Sequence, residues 1–105
     1  MIRNAFKMKL SSGDIAEYKR RHDAVWPELA EELRRAGVRD YSIYYDPETR
    51  TLFAFQKLTE GNTAGALPQN PVVRKWWDYM NDGIMEYDEN QEPVSIPLDE
   101  VFHMD

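Results

Sequence analysis

Residues 51–58 are apolar at most positions, and this feature constrains the fold more than any other. In an extended strand these residues divide between the two faces, with Leu52, Ala54 and Leu58 on one and Phe53 and Phe55 on the other. A strand that is apolar on both faces indicates a sheet whose two faces are both covered. The 105-residue chain predicts a single domain over residues 1–105, with room for one helical layer. The second face is therefore predicted to pack against another copy of the chain.

Three more strands are predicted from alternation of apolar and polar residues. Residues 2–10 place Phe6 and Met8 on one face and lysines on the other, and residues 38–46 alternate in the same way. The sequence Asp46 to Arg50, with Pro47 second, is typical of a turn between two strands. The last strand is predicted from Leu98 to Met104.

The first helix is predicted over residues 15–36, with a kink or restart at Pro27. Asp14 and Ser12 are the two candidate N-caps, and Gly37 suits the position after the last helical turn. This helix joins the strand at residues 2–10 to the strand at residues 38–46.

A second helix is predicted to start at Asn70-Pro71, with the asparagine as cap and the proline as first helical residue. Residues 60–69 before it are predicted to be irregular or weakly helical, and residues 86–93 after it form a polar surface loop. The element order is then β-α-β-β-α-β. With right-handed crossovers this order gives an α+β fold, a ferredoxin-like sandwich that pairs as a dimeric α/β-barrel.

Tyr18 and His22 lie four residues apart on the apolar stripe of the first helix. A buried helix face rarely carries two polar side chains unless both find partners. Histidine both gives and takes protons near neutral pH, so the pair is a candidate acid/base site. A structural histidine with a satisfied hydrogen bond is the alternative interpretation.

Trp76 and Trp77 fall within the apolar stripe of the second helix. Adjacent indoles often belong to the core, but their flat faces also stack against the C–H side of sugars and other flat ligands. Tyr41 is a further candidate, because its hydroxyl needs a partner if the side chain is buried.

Charge and composition exclude several classes of function. The net charge is −6, which disfavours nucleic acid and anionic membranes as partners. There is no cysteine, no apolar run long enough to cross a membrane and no signal-peptide pattern, so a cytoplasmic protein is expected. His22 and His103 are the only histidines and lack ligand spacing, so no metal and no cofactor are predicted.

Four segments together resemble the L-rhamnose mutarotase family, and the match extends over most of the chain. They are Tyr18–His22, Val25–Leu29, Asp40–Tyr44 and Arg74–Met80. The terminal residues Glu100, Val101 and Phe102 fit the same pattern. The combination of segments is specific, whereas no single segment is.

The resemblance implies a dimeric α/β-barrel that interconverts the α and β anomers of L-rhamnose without a cofactor. It also implies that His22 is the proton donor and that Tyr18, Tyr41, Trp76 and Trp77 contact the sugar. Ring opening needs one proton delivered to the ring oxygen and one removed from the anomeric hydroxyl, and histidine suits this task. The sequence does not identify the group that removes the proton, and the candidates are Glu28, Asp78 and a bound water.

Two other functions fit the same architecture. One is a haem-associated or oxygenase-type protein with His22 as axial ligand. The other is a non-catalytic module that binds a small molecule.

Overall fold

The computed structural model describes residues 1–11 and 14–105, and over this part of the chain four antiparallel strands form one sheet. The strands are β1 (Ile2–Lys9), β2 (Val38–Asp46), β3 (Thr51–Leu58) and β4 (Ile96–Pro97). Their order in the sheet is β2-β3-β1-β4, so the two central strands are β3 and β1. The predicted α+β class with a four-stranded antiparallel sheet is confirmed.

The predicted break at Pro27 separates two helices, α1 (Ile15–Asp23) and α2 (Pro27–Arg35). Pro27 is the first residue of α2, where its missing N–H costs nothing. Asp14 caps α1 by accepting a hydrogen bond from the Glu17 N–H at 3.2 Å, and the alternative cap Ser12 lies outside the described residues. Gly37 follows α2 with φ 96°, a left-handed conformation that favours glycine.

The second predicted helix is α3 (Pro71–Met80), preceded by a 3₁₀ helix over Ala64–Gln69. The Asn70 side chain accepts hydrogen bonds from the N–H groups of Val72 and Val73, so the predicted cap is confirmed. Among the helices of the described residues, none combines the length and apolar character needed to span a bilayer.

The prediction of a last strand over residues 98–104 is wrong, because β4 covers only Ile96–Pro97. It pairs with Phe6 and Lys7 of β1, and one more hydrogen bond follows from the Leu98 N–H to the Ala5 carbonyl. Pro97 has no N–H to give to a ladder, which shortens the pairing. Beyond it the chain is held by the ion pair of Arg3 with Glu100, while Val101, Phe102 and Met104 are exposed.

The helices cover one face of the sheet, called here the inner face, and leave the outer face bare. Leu52 and Ala54 on the inner face are buried in the core with Met80 of α3. On the outer face Phe55 is 46% exposed and Tyr44 is 64% exposed, with their rings 5.8 Å apart. The inner face therefore forms the core and the floor of a cavity, and apolar rings remain on the outer face.

Candidate active site

A cavity of about 890 Å³ lies between the inner face of the sheet and the helices. The five predicted site residues all line it: Tyr18, His22, Tyr41, Trp76 and Trp77. Helix α1 supplies Tyr18 and His22, α3 supplies the two tryptophans, and β2 supplies Tyr41 from the floor. Residues far apart in sequence thus meet at one site.

Tyr18 and His22 stack on one another, with ring centroids 4.2 Å apart and planes inclined by 21°. The spacing of four residues places both rings on the same side of α1. The edge of the His22 ring also meets Trp76, with centroids 5.3 Å apart. The imidazole is therefore held between two aromatic neighbours from different helices.

One nitrogen of the His22 ring forms a hydrogen bond to the backbone. Nδ1 lies 3.0 Å from the Tyr18 carbonyl oxygen. A carbonyl only accepts, so Nδ1 carries the proton and donates it. In the neutral ring Nε2 is then the unprotonated nitrogen, an acceptor that makes no hydrogen bond within residues 1–11 and 14–105.

Burial keeps His22 in this neutral form. Loss of hydration lowers the pKa of His22 below 6.5, and the hydrogen bond to the Tyr18 carbonyl opposes the shift with a smaller effect. At neutral pH the ring presents a proton acceptor to the cavity. Once it accepts a proton at Nε2, it becomes an acid strong enough to return it.

The hydroxyl of Tyr18 is open to the cavity although the residue is only 5% exposed. It makes no hydrogen bond to any part of the chain that the structure describes. Over the same residues no fully enclosed side-chain nitrogen or oxygen lacks a partner, so this hydroxyl reaches open space. It is available to a ligand.

Both tyrosines stay protonated at neutral pH. Burial raises the pKa of Tyr18 well above 10, and loss of hydration raises the pKa of Tyr41 to about 12 although 39% of that residue is exposed. Each hydroxyl can therefore donate and accept hydrogen bonds, but neither is a base.

The two tryptophans have different surroundings. Trp76 is 6% exposed and meets Trp26 and Tyr79 with ring centroids 5.1 and 5.5 Å away. Trp77 is partly exposed, and the Arg74 guanidinium lies over its ring at 5.2 Å. Trp76 belongs to the core as well as to the cavity, whereas Trp77 is mainly a cavity wall.

Sequence reasoning missed several polar residues that line the cavity, among them Gln56, Glu92 and Asp23. Glu92 belongs to the loop after α3, where it pairs with Arg74 at 3.0 Å, and Asp23 pairs with Lys19 at 2.8 Å. The Glu92–Arg74 pair joins distant segments, so local spacing gave no signal for it, whereas Lys19 and Asp23 have the i,i+4 spacing of a helix ion pair.

The two carboxylates considered from the sequence, Glu28 and Asp78, do not line the cavity. Neither is positioned to take a proton from a ligand there. The carboxylates at the cavity, Asp23 and Glu92, are each held by a cation, so His22 is the titratable group best placed for proton transfer.

The chain is similar to known proteins over nearly its whole length. The sequence model of the L-rhamnose mutarotase family matches residues 3–104. A protein of Bacteroides thetaiotaomicron named L-rhamnose mutarotase is 58% identical over the whole of both chains, and one of Sinorhizobium fredii is 50% identical over 99% of both. The crystal structure of L-rhamnose mutarotase from Formosa agariphila is 52% identical, covers both chains fully and superposes with a TM-score of 0.90.

Proposed function

The chain belongs to the L-rhamnose mutarotase family, and from this membership we propose that it interconverts the α and β anomers of L-rhamnose in the cavity beside His22. The observation that carries the proposal is the state of the imidazole. Nδ1 is fixed on the Tyr18 carbonyl, and Nε2 is free for the sugar. The relatives named above support the choice of substrate.

The reaction opens the pyranose ring to an aldehyde, allows rotation about the C1–C2 bond and closes the ring again. Opening removes the proton of the anomeric hydroxyl and delivers a proton to the ring oxygen. Both oxygens are bonded to C1, so one imidazole nitrogen can serve them in turn. His22 first accepts the anomeric proton at Nε2 and then acts as the general acid towards the ring oxygen.

The remaining walls hold the sugar. The hydroxyls of Tyr18 and Tyr41 bind sugar hydroxyls, and the indoles of Trp76 and Trp77 pack against its C–H surface. Rhamnose carries a methyl group where most hexoses carry a hydroxymethyl, and an aromatic wall favours that apolar end. Positioning of this kind adds to the effect of acid/base catalysis.

The exchange rate is expected to fall as pH drops below the pKa of His22, which lies below 6.5. Protonation at Nε2 removes the acceptor that begins the reaction, so activity is present above this pKa and lost below it. The measurement is the enzyme-dependent rate from about pH 5 to about pH 8, with the buffer rate subtracted at each pH. A rate that rises steadily towards acid would show that imidazolium, not imidazole, starts the reaction.

Polarimetry of freshly dissolved α-L-rhamnose tests the function itself. The optical rotation is expected to reach its equilibrium value sooner with the protein than in buffer, in proportion to protein concentration. A module that only binds sugar would leave the time course unchanged.

We also propose that the protein is a homodimer paired through the outer faces of its two sheets. The exposed rings of Phe55 and Tyr44 support this, since exposed aromatic side chains on a sheet favour burial against a partner. A second copy presents the same surface by symmetry.

Light scattering coupled to size exclusion is expected to give about twice the 12.4 kDa chain mass at micromolar concentration. Phe55→Lys should shift the mass towards one chain, whereas Glu48→Lys, a larger charge change in the exposed turn between β2 and β3, should not. A parent protein with the mass of one chain contradicts the dimer.

A further inference from the structure

Gln56 is a polar residue on the floor of the cavity. It lies on β3 two residues from Ala54, on the inner face, and it is half-buried. Ala54 is fully buried and does not line the cavity, whereas Gln56 does. Apart from Asn4 on β1, the nearby inner-face positions are apolar, including Phe6, Met8 and Leu52.

The Gln56 carboxamide has no partner in the part of the chain that the structure describes. It makes no hydrogen bond there as donor or as acceptor. Asn4 is paired directly across from it on β1, close enough for two amide side chains to meet, yet they form no bond. The amide is thus left for a group that enters the cavity.

The unpartnered amide reaches the open cavity, since no fully enclosed side-chain nitrogen or oxygen of the described residues lacks a partner, but its partial burial has a modest cost. A half-buried glutamine loses part of its hydration and gains no protein hydrogen bond in exchange. An apolar side chain would fill the same position on a cavity floor without that loss. A ligand that hydrogen-bonds the amide removes the cost.

We propose that the Gln56 carboxamide binds sugar hydroxyls and helps to set which pyranoses the cavity accepts, an inference that rests on the proposed function. A carboxamide offers an oxygen that accepts and an N–H₂ that donates, side by side. Two adjacent hydroxyls of a pyranose offer the complementary pair. The sheet then contributes Gln56 and Tyr41 to the sugar, opposite Tyr18 and His22 from α1.

The test compares the parent with Gln56→Met, which keeps the length of the side chain and removes both hydrogen-bonding groups. The control is Gln69→Met, the same change at an exposed position away from the cavity. The substrates are L-rhamnose and its 2-, 3- and 4-deoxy analogues, and kcat/KM for anomer exchange is measured for each.

For L-rhamnose, Gln56→Met is expected to lower kcat/KM roughly 5- to 150-fold, the combined effect of two neutral hydrogen bonds, and Gln69→Met is expected to leave it unchanged. The loss should be several-fold smaller for a deoxy analogue that lacks one of the hydroxyls bound by the amide, because one of the two hydrogen bonds is then absent from the parent as well. Circular dichroism shows whether Gln56→Met is folded. If Gln56→Met does not fold, Gln56→Asn takes its place. This variant keeps the amide but moves it back towards the sheet by one methylene group, and the same changes in kcat/KM are expected.

An equal kcat/KM for parent and Gln56→Met on L-rhamnose overturns the inference. An equal loss on all four sugars also overturns it, because a packing defect has no preference among hydroxyls. If the parent itself does not exceed the buffer rate, the proposed function fails. The inference is then decided by tryptophan-fluorescence titration with L-rhamnose, where an unchanged Kd in Gln56→Met contradicts it.

Discussion

His22→Ala is expected to slow enzymatic anomer exchange of L-rhamnose by roughly 10²–10⁴-fold, the usual contribution of a positioned acid/base group. Among the described residues at the cavity, the carboxylates of Asp23 and Glu92 are paired with cations, and the raised pKa values of Tyr18 and Tyr41 prevent these tyrosines from acting as bases at neutral pH. The loss should appear in kcat more than in KM, because proton transfer belongs to the transition state. Saturation-transfer NMR of the anomeric protons measures both constants.

Tyr18→Phe is the matched comparison for His22→Ala. It removes one hydroxyl from the same face of α1 and keeps the ring that stacks on His22 and the carbonyl that orients Nδ1. Its effect should be smaller than that of His22→Ala. If a folded His22→Ala protein exchanges rhamnose anomers as fast as the parent, His22 has no catalytic role.

Trp76→Ala is expected to destabilise the protein by about 3–5 kcal/mol, the range for removing a large buried aromatic side chain. The indole is 6% exposed and contacts His22, Trp26 and Tyr79, so its loss leaves a cavity that joins the site. Trp77→Ala should cost less stability, because that ring is partly exposed, and should mainly raise KM for the sugar.

Urea denaturation followed by circular dichroism compares the unfolding free energies of the two tryptophan variants. Exchange kinetics on the folded fraction compare their KM values. Equal destabilisation by the two changes would contradict the different roles assigned to the indoles.

The fold could be predicted from the sequence where local patterns decide it. Alternation located β1 and β2, and a run of apolar residues located β3. The caps Asn70 and Asp14 set the starts of helices because each accepts hydrogen bonds from N–H groups two or three residues further along the chain. The last strand was misplaced, because its pairing depends on β1 and on Pro97 rather than on its own alternation. The apolar residues Val101, Phe102 and Met104 look like strand residues, but their side chains are largely exposed.

The candidate site was predictable where it follows helix periodicity. Tyr18 and His22, and likewise Trp76 and Trp77, reach the cavity because each pair lies on the apolar stripe of one helix. Gln56 gave no such signal, since one polar residue in a strand fits either face until the register is known. Glu92 reaches the cavity through its pairing with Arg74, a contact between loop and helix that no sequence spacing reveals.

The most direct test of the account is the exchange of α- and β-L-rhamnose at equilibrium, followed by saturation transfer between the two anomeric protons with a catalytic amount of the parent protein. The exchange rate is expected to exceed that of buffer alone, to rise in proportion to protein concentration and to fall roughly 10²–10⁴-fold in its protein-dependent part with His22→Ala. An exchange rate equal to that of buffer, with L-rhamnose bound to the protein, would contradict it.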